Sequence, residues 1–87
     1  MNTMFENSPF ENASLMLEVC RGAFEKYGFT QEARQLKGLE ATTTNSVQAS
    51  LLTLQQIKPR NVETRQALAF AMAALQTVMQ QSLPQAS

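Results

Sequence analysis

The chain has 87 residues, of which 44% are hydrophobic and 16% charged, and seven Lys and Arg balance seven acidic residues, every one a Glu. With no His, Trp or Asp and a single Cys, it lacks an imidazole base, a cysteine-rich zinc site, an intramolecular disulfide and an Asp-built calcium loop. A chain of this length makes one small domain and buries only roughly 60–65% of its unfolded surface, a thin margin that a partner or a second copy relieves.

Residues 1–7 are polar apart from Met1, Met4 and Phe5 and read as a flexible lead. They have neither the basic start nor the apolar stretch of a signal peptide. Ser8-Pro9-Phe10-Glu11 carries the pattern of a capping box with Pro at the first helical position. The first helix is expected over about 9–27, with Phe10, Ala13, Leu17, Cys20, Phe24 and Tyr27 forming one apolar stripe at spacings of three and four. Leu15, Met16 and Val19 widen that stripe, so this helix is expected to be covered on more than one side. Gly28 can end it in the left-handed conformation. Phe29 then falls where a Schellman motif makes its hydrophobic contact, onto Phe24, and Thr30 can cap the next helix.

From Ala33 through Leu36, Leu39, Thr43, Val47, Leu51, Leu54 and Ile57, apolar or small residues keep helical phase. The Thr42–Ser46 run is a poor helix former, because its side chains compete for backbone bonds, and Asn45 there can cap a fresh helix. The unbroken phase favours one long helix over 30–57, which would span about 42 Å. Lys58-Pro59-Arg60-Asn61 breaks the chain, with Asn61 as a cap. A last helix is expected over 62–82, with a polar tail at 84–87. Its stripe is Leu68, Met72, Leu75, Val78 and Met79, and its other flank is Ala67, Phe70 and Ala74. The longest apolar run, Ala67 to Leu75, has nine residues. A membrane span needs about 20.

The expected architecture is all-α, in three helices: a short N-terminal helix packed on a long antiparallel hairpin. No ionisable side chain occurs from Ala41 to Ile57 or from Gln66 to Ser87. An exposed helix usually carries Lys and Glu for solubility, so this charge-free hairpin points to contact with another protein or with its own copy. The residues expected to make that contact are Leu68, Phe70, Met72, Leu75, Val78 and Met79, an apolar band wider than one neighbouring helix covers.

The remaining features have plainer readings. Cys20 lies on the first stripe and reads as a buried structural thiol. Glu11, Glu18, Glu25 and Glu32 recur every seven residues and read as a solvated face without the paired carboxylates of acid/base chemistry. Thr30-Gln31-Glu32 with Gly38 and Val47 resembles the opening of a helix-turn-helix, which implies a small DNA-binding transcriptional regulator using residues 30–57. Arg34 stands where that motif has a small residue and Lys37 near a usually apolar place. The would-be recognition helix, 42–54, offers no Lys or Arg to phosphates. Ala67-Leu68 with Ala71, Ala74 and Leu75 resembles in composition the last helix of small hairpin co-chaperones of type III secretion.

The reading that results is a small non-enzymatic interaction protein (adaptor, inhibitor or co-chaperone), without cofactor or metal. It docks a helical face on a partner or as a homodimer. It crosses no membrane, its balanced charge makes nucleic acid an unlikely partner, and its lone Cys fits the reducing cytoplasm.

Overall fold

The structure is a computed structural model that describes residues 9–82. The expected lead, the cap at Ser8 and the tail lie outside the described residues. Among the described residues four helices succeed one another: α1 (Pro9–Lys26), α2 (Thr30–Lys37), α3 (Thr44–Gln56) and α4 (Val62–Ser82). The fold class is therefore all-helical.

α1 buries Ala13, Leu17, Cys20 and Phe24, the alternating four- and three-residue steps of one helical face. It ends at Gly28, whose φ of 78° is open to a residue without Cβ. The Phe29 N–H donates to the Phe24 carbonyl (2.9 Å) and the Gly28 N–H to that of Glu25 (3.0 Å), the bond pair of a Schellman motif. The Phe24 and Phe29 rings meet edge-on at 6.1 Å. Thr30 is not the cap expected of it: Phe29 occupies that position, with no side-chain bond, and its carbonyl accepts from Ala33.

The long helix expected over 30–57 is two helices separated by residues 38–43. The apolar phase survives because α2 and α3 each turn their own residues to one core: Ala33 and Leu36 from α2, Val47 and Leu54 from α3. Thr43, in phase but exposed, stops the run. Its hydroxyl accepts from the Ser46 N–H (3.0 Å), and the Ser46 hydroxyl accepts from the Thr43 N–H (2.9 Å) and the Thr42 N–H (2.9 Å). This capping box lies two residues before the start expected at Asn45. The carbonyls of the break are also taken up: Ser50 donates to Glu40 (2.7 Å) and Ser14 to Ala41 (3.3 Å). A continuous helix would leave these two side chains without those partners.

α4 starts where expected. Asn61 Oδ1 accepts from the Thr64 N–H (2.8 Å), and the buried Thr64 hydroxyl accepts from the N–H groups of Asn61 (3.0 Å) and Arg60 (2.9 Å). α1 packs along α4 and against α2, while α3 packs on α4. The core they share includes Phe24, Leu36, Val47, Leu54, Leu68, Leu75 and Val78.

Candidate functional site

Three of the six residues expected at a partner surface point inward. Leu68 is 3% exposed, and Leu75 and Val78 are fully buried. Met72 and Met79 are partly buried and pack against the same core. Phe70 alone stands out, 64% exposed. Sequence alone made one wide band of these residues. The structure splits the band because α4 has two neighbours: α3 takes one flank and α1 the other.

The place of Phe70 is set by the α1–α4 register. Lys26 Nζ lies 3.4 Å from Glu63 Oε2, and the Tyr27 hydroxyl donates to Glu63 Oε1. The end of α1 therefore meets the start of α4, and two helices packed along each other from that point run antiparallel. Seven residues are about two turns, and bring a helix back to nearly the same face. Seven back from Lys26 is Val19 and seven on from Glu63 is Phe70, so these two stand level across the outer crevice between the helices. A further step gives Asn12 and Thr77. The other flank of α1 is accounted for: Ser14 bonds to Ala41, and Ser14, Leu17 and Arg21 face Leu36 and Lys37 across a cleft. That leaves Met16, Ala23 and, outside them, Val19 on the α4 side.

Val19 is 52% exposed and so is Leu15, one turn away. Of the three residues expected to widen the covered side of α1, Met16 packs against the core, while Leu15 and Val19 are left half-exposed within the single chain. Their exposure was not legible in the sequence because they widen a stripe already filled by Leu17, Cys20 and Phe24. The signal that places Val19 is the pair of seven-residue steps from Lys26 and Glu63, usable only once the register is known; Leu15 lies off those steps. Beyond the Lys26–Glu63 end the α4 side of the crevice is uncharged. Its outward residues from Gln66 onward include Ala69, Ala73, Gln76, Thr77 and Gln80, with no ionisable group.

Around Lys26 and Glu63 the electrostatics are local. The hydrogen bond from Tyr27 holds the Glu63 carboxyl below its usual range, and the same bond raises the Tyr27 hydroxyl. Tyr27 stacks on Phe29 at 6.1 Å, and the Arg60 guanidinium lies 4.5 Å from the Phe29 ring centre while reaching Glu32 at 3.1 Å. Glu32 is thus held in an ion pair, unlike the solvated carboxylate expected, whereas Glu18 and Glu25 are exposed.

Little else suggests chemistry. Burial pushes the Cys20 thiol up to about 11, away from the nucleophilic thiolate. Among the described residues no group of three or more His, Cys, Asp or Glu is placed to hold a metal ion, and no helix is long and apolar enough to cross a membrane. An open groove of about 450 Å³ beside Phe10, Ser14, Leu15 and Ala41 has Glu11 and Glu18 on its walls. α2 and α3 make at most marginal contact with each other, each packing on a different long helix. The outward residues of α3 include Asn45, Gln48, Leu52 and Gln55, none of them basic.

Comparison of the chain with protein-family models, with curated proteins and with solved structures gives no match.

Proposed function

We propose that this chain is a non-enzymatic protein–protein interaction module, of the adaptor, inhibitor or co-chaperone kind, whose docking face is the outer α1–α4 crevice. The observation that carries the reading is Phe70: a large aromatic side chain, 64% exposed at the middle of a 21-residue helix. Its outward neighbours from Gln66 onward have no charge to hold them in water. Val19 extends the apolar surface onto α1. Aromatic anchors at the centre of an uncharged patch are where binding energy concentrates. The docking residues are therefore Phe70 and Val19; Leu68, Leu75 and Val78 hold the frame behind them. In this reading α1 is laid on the α3–α4 hairpin to complete the crevice. A single buried thiol suits the cytoplasm.

The test compares two baits in extract of the source organism: the chain itself and Phe70→Glu. Because Phe70 is exposed, the variant should keep its helical circular dichroism. Loss of a retained protein with Phe70→Glu is the expected result, and the same retained set with both baits would overturn the reading.

A further inference from the structure

The crevice has a charge pattern that matches itself. Rotate a second copy by half a turn about an axis running along the crevice, in the plane of contact. Helix directions are then preserved, α1 of one copy lies over α4 of the other, and every residue stays at its own level. Phe70 then meets Val19 of the second copy, and Val19 meets its Phe70. Lys26 faces Glu63 of the second copy, so the two intrachain pairs at 3.4 Å become the sides of a square of alternating charge. Asn12 faces Thr77. The rest of the α4 side, from Gln66 on, has no charge that could oppose its like. Its outward Gln66, Gln76 and Gln80 carry amides that both donate and accept.

Turning the second copy about an axis perpendicular to the helices instead lays α4 on α4 and α1 on α1. The Lys26 and Glu63 ends are then sent to opposite ends of the contact, and their complementarity is lost. On the first arrangement the four helices form a ring in which each runs antiparallel to both neighbours, the topology of an up-down bundle. We infer that a second copy of this chain occupies the α1–α4 crevice, with Phe70 of each copy seated against Val19 of the other. This rests on the reading of the crevice as the docking face, and it names the partner.

Light scattering across a concentration series should give twice the 9.7 kDa of one chain at high concentration, and Phe70→Glu should halve it with helicity intact. Should Phe70→Glu lose its helices, Val19→Glu is read the same way. For the arrangement, Val19→Cys protein is mixed with Phe70→Cys protein and treated with a short bis-maleimide. Cys20, fully buried, does not compete. Links between 19 and 70 should outnumber 19–19 and 70–70 links; a preference for same-residue links overturns the arrangement. A wild type that stays at single-chain mass up to millimolar concentration overturns the second-copy proposal. The docking reading then stands if the Phe70→Glu bait has lost its partner. A dimer indifferent to both Phe70→Glu and Val19→Glu also overturns the second-copy proposal, and the bait comparison alone then decides the docking reading.

Discussion

At the scale of single residues the most consequential contact is the one between Tyr27, Lys26 and Glu63, because it sets how α1 and α4 slide against each other. Its pH dependence has a definite sign. Glu63 titrates lower in the fold than in the open chain, so its contribution is present above the ordinary carboxyl value of about 4.3 and fades as pH falls through the folded value. Tyr27 titrates higher in the fold, so its contribution is present below the ordinary tyrosine value of about 10 and fades as pH rises through the folded value. Tyr27→Phe keeps the ring on Phe29 and removes the hydroxyl. Urea midpoints should therefore fall less steeply at both the acid and the alkaline limb than in the wild type. The acid limb persists in part through Lys26. Both side chains are exposed, so the change is one of curve shape more than of size. Identical pH profiles for the two proteins would mean that the register is set by packing alone.

At the scale of elements, termini were easier to read than continuity. The Gly28-Phe29 stop and the Asn61 start are written in residues whose physical options are narrow: a glycine free to take positive φ, an amide able to reach the third N–H of a helix. The break at 38–43 was harder. Hydrophobic phase reports which side of each helix faces the core, and two helices facing the same core keep phase as well as one does. What decides is the run of hydroxyls, where Thr43 and Ser46 satisfy each other's backbone and Ser50 takes the Glu40 carbonyl from ten residues away. The Thr43–Ser46 bonds are local, but the Ser50 bond depends on a tertiary placement that sequence does not display. Thr43→Ala removes the acceptor for the Ser46 N–H and should cost about 1 kcal/mol, read as a lower urea midpoint with unchanged slope. A change of slope instead would mean that α3 melts separately from the rest.

At the scale of the whole molecule the question is which apolar surface the fold uses up and which it leaves. The size of the apolar area on α4 was legible from sequence; its division was not, because that depends on the angle at which α1 and α3 flank the helix. Leu75 and Phe70, close together on one helix, now stand on opposite sides of that division, one sealed and one 64% exposed. Truncating them separates the two roles. Leu75→Ala leaves a cavity in the core and should cost about 2–5 kcal/mol, a large share of what a domain of this size has to lose. Phe70→Ala, measured dilute enough to keep copies apart, removes little buried area and should shift stability by no more than about 0.5 kcal/mol. The contrast inverts for association. If a second copy covers Phe70, the wild-type melting temperature rises with protein concentration, because a dimer is stabilised by mass action. Phe70→Ala should flatten that rise, while a Leu75→Ala protein that still folds keeps it at a lower temperature. A large loss of monomer stability with Phe70→Ala would show that the ring supports the fold, and would move it from the docking face to the core.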